Sequence, residues 1–210
     1  GVKSKTFIIN HMNPQAPIEY GNFYHIFNKG INGSNIFYND DNYLHFIKLY
    51  EKHIEPISET YAWVLLKNHF HLLIRIKELN EIMDKYPNNY YSNNKTLYSY
   101  FSDFFNAYAQ AINKLIERTG SLFQHPFKRK LIKSESYFRN LVIYIHQNPQ
   151  SHKFTDNFRN YKWSSYNTIL SDKPTRMNRD LVIEWFENRE NFIFSHNVDI
   201  DSSDSEIYIE

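Results

Sequence analysis

Residues 61–76, YAWVLLKNHFHLLIRI, constrain the fold of this 210-residue chain more than any other stretch. Two runs rich in β-branched, aromatic and leucine side chains are interrupted only at Lys67-Asn68, a polar pair of the length that joins antiparallel strands. The pattern predicts strands over 61–66 and 70–76, paired as a hairpin. Alternate side chains of a strand share a face, so His69 and His71 are expected to project side by side, with Phe70 turned away. Two neighbouring neutral imidazoles make half of a divalent-metal site. The same triplet also occurs in strands that merely carry two partly exposed histidines, so the rest of the chain has to decide.

Other elements arrange themselves around that hairpin. Residues 22–28, NFYHIFN, have strand composition, and Lys29-Gly30-Ile31-Asn32-Gly33 reads as a turn. Asn39-Asp40-Asp41 offers capping chemistry to a helix carrying Tyr43, Phe46, Ile47 and Tyr50. Residues 78–95 read as an irregular insertion or a short helix plus loop. A long amphipathic helix is expected from 96 to 118, its stripe running from Leu97 through Phe104 and Tyr108 to Leu115, with Gly120 at its C-terminal end. FKRKLIK at 127–133 alternates like a strand. Ser134 and Ser136 can cap a further helix that ends near Pro149. The order β-α-β-β-α-β followed by a helix predicts an α+β, ferredoxin-like antiparallel sheet with helices on one face, plus a C-terminal helical appendage. One more helix is expected within 179–194. Residues 1–20 read as an N-terminal arm, 21–170 as the domain, 171–196 as a helical extension and 197–210 as an acidic tail.

Charge points to a partner. The net charge is +1, yet Asp199, Asp201, Asp204, Glu206 and Glu210 lie in the tail without a basic residue, leaving 24 basic against 18 acidic residues before it. From Lys114 to Arg139 there are seven basic and two acidic residues, an excess that suits a phosphate-bearing ligand. Zero cysteines exclude disulfides, thiolate zinc sites and cysteine nucleophiles. No apolar run has membrane-spanning length and no signal-peptide core precedes the domain, so a cytoplasmic protein with no membrane partner is expected.

A second constellation lies in RNLVIYIHQNP, where Tyr144 and Asn148 are four apart and share one helical face. A phenol is about 0.1% ionised at neutral pH, so its attack on a phosphodiester benefits from a divalent ion on the phosphate oxygens. Asn148 can add an amide oxygen to the two imidazoles, and Mg²⁺ or Mn²⁺ suits such a set. Hydrolysis by water would use the same ion without Tyr144.

Five stretches, YHIFNKGI, AWVLLKNHFHLLI, GSLFQHPFKRKLI, YFRNLVIYIHQNP and YKWSSY, occur in order across residues 22–170. In these the chain resembles the REP-associated tyrosine transposase branch of the single-tyrosine HUH transposases. The resemblance implies that His69 and His71 bind the metal with Asn148 as a further ligand. It implies that Tyr144 attacks single-stranded or hairpin DNA, leaving a 5′-phosphotyrosine and a free 3′-OH that can be rejoined. It also implies a protein that is nucleoid-associated when bound to DNA, whose tyrosine helix acts within one chain or is shared in a homodimer. Lys67 stands where relatives carry proline, and 171–210 lie outside the resemblance.

Other residues are secondary candidates. Lys128, Arg129 and Lys130 are candidate phosphate contacts, and Asn28 and Lys29 are candidates for lining a DNA groove. His25 is either a polar partner of the site or, the favoured alternative, a satisfied core histidine. His146 is expected to point away from Tyr144, and Trp163 and Tyr166 to pack. The competing function is a non-catalytic nucleic-acid-binding module, since ferredoxin-like sheets also stack bases on aromatic side chains.

Overall fold

The computed structural model describes residues 16–85 and 95–197. Strands β1 (Phe23–Lys29), β2 (Ser58–Leu66), β3 (His69–Ile76) and β4 (Lys128–Ile132) form one antiparallel sheet in the order β2-β3-β1-β4. With helices α1 (Asp40–His53) after β1 and α3 (Leu97–Leu115) after β3, this is the expected ferredoxin-like topology. The hairpin closes as anticipated, with Leu66 opposite His69. Lys67 does not prevent the turn, and its carbonyl accepts the N–H groups of Ile36 and Phe37 at 2.8 and 3.0 Å. Gly30 N–H donates to the Asn68 carbonyl at 2.8 Å, and a Cβ on Gly30 would come within 2.0 Å of the Ser34 carbonyl oxygen. Only glycine lets the loop fold back so tightly onto Ser34.

The alternation of β3 divides its side chains between two cores. Phe70, Leu72, Ile74 and Ile76 join α1 and α3, whose stripe includes Phe46, Phe101, Phe104, Phe105 and Tyr108. On the opposite face lies α4 (Glu135–Ser151), whose Leu141, Val142 and Ile145 pack with Leu73 and with Val64 and Leu66 of β2. Thus α1 and α3 share one face, while α4 covers the other.

Several element ends differ from expectation. Helix α3 stops at Leu115, because Glu117 takes φ 52° and Arg118 N–H bonds back to the Asn113 carbonyl at 2.8 Å. Gly120, with φ 89°, belongs to the following loop. Helix α4 is capped by Ser134 as anticipated, but it passes through Pro149 to Ser151. Proline forfeits only the bond to the Ile145 carbonyl, and pairing resumes with His152 N–H on the Asn148 carbonyl at 3.0 Å. The helix expected within 179–194 is two, α6 (Arg179–Trp185) and α7 (Arg189–Ser195). Glu187 turns left-handed between them, and the Asn188 side chain caps the second by accepting from Asn191 N–H at 2.8 Å. Short helices α2 (Leu79–Lys85) and α5 (Tyr166–Leu170) complete the described secondary structure together with two 3₁₀ turns. Val182, Phe186 and Phe192 are buried in the same cluster as Leu141 and Ile145, so the C-terminal helices form the outer layer over α4. No helix of the described residues is long and apolar enough to cross a membrane. Most of the N-terminal arm, nearly all of the acidic tail and residues 86–94 of the insertion lie outside the described residues.

Candidate metal and tyrosine site

The face of the sheet under α4 gathers the chemistry. The two histidines of β3 sit on it as the strand period requires, their rings 5.3 Å apart and almost perpendicular. Helix α4 crosses above them, so Asn148, 79 residues on from His69, brings its Oδ1 to 3.0 Å from His69 Nε2. Tyr144, one turn earlier, places its ring 5.4 Å from that of His71, nearly edge-on. All four side chains are buried, each less than a tenth exposed. The residues singled out for metal binding and attack therefore meet in one place, within a single chain.

Hydrogen bonds determine which nitrogen each imidazole presents. The Asn68 Oδ1 accepts from His69 Nδ1 at 2.7 Å, so Nε2 of His69 carries the lone pair. His71 Nδ1 is bonded to His25 Nε2 at 2.9 Å, which leaves His71 Nε2 as its ligating atom when Nδ1 donates. Burial first, then the neighbouring His25, His69 and His152, hold the His71 imidazole well below its ordinary pKa. Burial, aided by Lys130, takes His25 down to about 3. Both rings are thus neutral at physiological pH, the form a metal requires.

The donor set fits a divalent cation. His69 Nε2 and Asn148 Oδ1 are two lone-pair atoms facing each other at 3.0 Å, an arrangement a shared cation would resolve. Two ligands at right angles around an Mg²⁺-sized ion stand about 3 Å apart. The Asn148 Nδ2 is buried without a hydrogen-bond partner, which agrees with an amide whose oxygen is turned toward a cation. Among the described residues no group of three or more His, Cys, Asp or Glu side chains forms a metal cluster, so the ligands would be two imidazoles and an amide oxygen.

A cavity of about 250 Å³ opens onto the two histidines, lined by His69 and His71 together with Asn28, Lys29, Gln124, Lys128 and His152, while Tyr144 and Asn148 stand behind its wall. A larger cavity of about 490 Å³ lies at the other side of β2, between Phe46, Trp63 and Arg176, away from the histidines. Of these two cavities, the smaller joins lone-pair nitrogens to lysines.

The secondary candidates separate. Lys29 pairs across the sheet with His69, and Lys128 and Lys130 oppose Phe27 and His25, so all three share the site's face. Arg129 is on the other face, where its Nε donates to the Ala16 carbonyl at 2.5 Å and its guanidinium lies near the Tyr98 and Phe127 rings. Asn28 lines the cavity, but its amide is spent on the Gln124 carbonyl and the Lys29 N–H. The favoured assignment of His25 as a core histidine is incomplete: it is buried, and its partner is His71 itself. His146 points away from Tyr144 as expected, and Trp163 stacks on Tyr43. Sequence reasoning missed His152, whose ring lies 5.0 Å from that of His69. Its spacing of four from Asn148 was the available signal, obscured by ending the helix at Pro149.

Comparison with known proteins is consistent with this architecture. The fold is similar to that of a REP-associated tyrosine transposase solved bound to a REP hairpin, with a TM-score of 0.56 and 18% identity over 76% of this chain and 86% of that one. No protein-family model and no curated protein matches the chain.

Proposed function

We propose that this chain is a DNA strand transferase of the transposase type, cleaving and rejoining single-stranded DNA beside a hairpin. The observation that carries the proposal is the meeting of Tyr144 with His69, His71 and Asn148 under α4. The Tyr144 oxygen attacks the phosphorus, the bond to the 3′ oxygen breaks, and that oxygen takes up a proton as the 3′-OH. The product is a 5′-phosphotyrosine, and attack by a 3′-OH reverses the step. A divalent ion, Mg²⁺ or Mn²⁺, held by His69, His71 and Asn148 would withdraw charge from the phosphate oxygens. Lys29, Lys128 and Lys130 flank the same face and suit the DNA backbone. The shared fold of a transposase bound to a REP hairpin supports hairpin DNA as the substrate class.

The test uses hairpin oligonucleotides with single-stranded flanks, incubated with Mg²⁺ or Mn²⁺ and resolved on denaturing gels. The wild-type chain should form a covalent adduct, and Tyr144→Phe should reduce it by ~10³-fold or more while DNA binding persists. An adduct that persists in Tyr144→Phe removes the nucleophile assignment. Cutting without adduct indicates a water-using phosphodiesterase. Binding with neither cutting nor metal dependence favours the non-catalytic module.

A further inference from the structure

Behind the tyrosine helix runs a chain of buried hydrogen bonds that the proposed reaction does not use. His146 lies two residues from Tyr144, about 200° around α4, and therefore faces away from the site. Its Nδ1 is 2.8 Å from His196 Nε2, and its Nε2 is 2.8 Å from Ser165 Oγ. His196 Nδ1 is 2.7 Å from the Phe192 carbonyl, and the Trp63 N–H donates to Ser165 Oγ at 2.9 Å. His146, His196 and Ser165 are each at most 1% exposed.

The proton positions follow from the partners. The partners of the two buried rings are a hydroxyl, a carbonyl and each other, so each ring is neutral and carries one N–H. A carbonyl only accepts, so His196 keeps its proton on Nδ1 and offers the lone pair of Nε2. His146 must then donate from Nδ1, which leaves its Nε2 to accept the Ser165 hydroxyl proton. Every bond runs in one direction: from the β2 backbone, through Ser165, His146 and His196, to the backbone of α7. Gln147 adds a bond from its Nε2 to the His196 carbonyl at 3.1 Å.

We infer that His146, His196 and Ser165 are positioning residues, a relay through which the C-terminal helices and strand β2 hold α4 at the rotation that aims Tyr144 and Asn148 at the histidine pair. Much of the packing around α4 is apolar, and hydrophobic packing is non-directional. A packed helix can shift by 1–2 Å between arrangements, whereas attack tolerates little misplacement. Two fully buried directional bonds on the back of the helix, within one turn of Tyr144 and Asn148, add a rotational constraint that apolar packing does not give. Residues 179–196 thereby become part of the catalytic apparatus although none of them touches it. This inference rests on the proposed function for its kinetic consequence, but the relay itself can be observed without it.

The experiment has two arms on the full chain. In the first, ¹⁵N–¹H spectra of the histidine rings should show His146 and His196 as neutral Nδ1–H tautomers, with a through-bond nitrogen–nitrogen coupling between His146 Nδ1 and His196 Nε2. Charged rings, the opposite tautomers or no coupling would overturn the relay whether or not the protein cuts DNA. In the second, His146→Phe keeps a ring but removes both bonds, and His146→Asn restores a donor and an acceptor. The single-turnover rate of adduct formation should fall roughly 10- to 100-fold in His146→Phe, with hairpin affinity within about twofold of wild type, and recover in part in His146→Asn. His196→Phe, which breaks the next link, should show the same split if His146→Phe fails to fold. A folded variant that cleaves at the wild-type rate, or whose affinity falls as far as its rate, overturns the positioning role. Failure of the wild-type chain to form any Tyr144-dependent adduct would instead count against the proposed function, and the ring spectra would still judge the relay.

Discussion

The two faces of the sheet are made from the same strands, and both bury apolar side chains, but only one of them also buries a polar cluster. On the α1/α3 face, β3 presents Phe70, Leu72, Ile74 and Ile76 to a core of aromatic rings. On the α4 face, the same strand presents His69, His71, Leu73 and Arg75, and the polar groups there are bonded to one another. One face stabilises by burial of hydrocarbon, which tolerates small displacements. The other depends on directional contacts among neutral imidazoles, an amide and a phenol, where displacement by an ångström changes the chemistry. A mutation on the first face should therefore act on stability, and one on the second on chemistry.

Beyond the loss of adduct expected for Tyr144→Phe, the sharpest contrast is Phe70→Ala. It removes a fully buried ring from between Phe46 and Phe105 and should cost about 3–5 kcal/mol in urea unfolding. Activity per folded molecule should hold, and a selective loss of cleavage would break the comparison. Acid should expose the other face. Burial takes His196 down to about 4 from the ordinary 6.5. Above about pH 6.5 neither state binds this proton, so the group makes no pH-dependent contribution. Between 6.5 and 4 the unfolded chain binds a proton that the folded chain refuses, so stability should fall by on the order of 3 kcal/mol. His196→Phe should make that part of the stability–pH profile shallower, the slope left over belonging to His25, His71 and His146, and an unchanged profile would contradict the assignment.

Smaller effects separate the faces further. His25→Ala removes the partner that orients His71, and Mn²⁺ affinity measured by calorimetry should weaken roughly 10- to 100-fold. Unchanged affinity would show that His71 needs no such support. On β4, Lys128→Ala and Lys130→Ala should each lower the salt dependence of single-stranded DNA binding by about 0.7 in the log–log slope. Arg129→Ala, on the far face, should leave that slope alone. A reduced slope in Arg129→Ala would mean that DNA reaches both faces.

The chain's own pattern determined much of this. The period of two in residues 61–76 placed both histidines on one face, and the stripe from Leu97 to Leu115 announced its helix, because side-chain phase within an element is a local property. The four-residue spacing of Tyr144 and Asn148 likewise put them on one side of α4 before any fold was considered. Tertiary structure decided what those faces meet. That α4 crosses the histidine side of the sheet, that Asn148 reaches His69, that His25 supports His71 and that Arg129 turns away are outcomes of packing between distant segments. Periodicity states which side chains lie together on an element. Which element covers them is settled only by the burial of all the faces at once, and so the histidine pair met Tyr144 and Asn148 only when α4 closed over it.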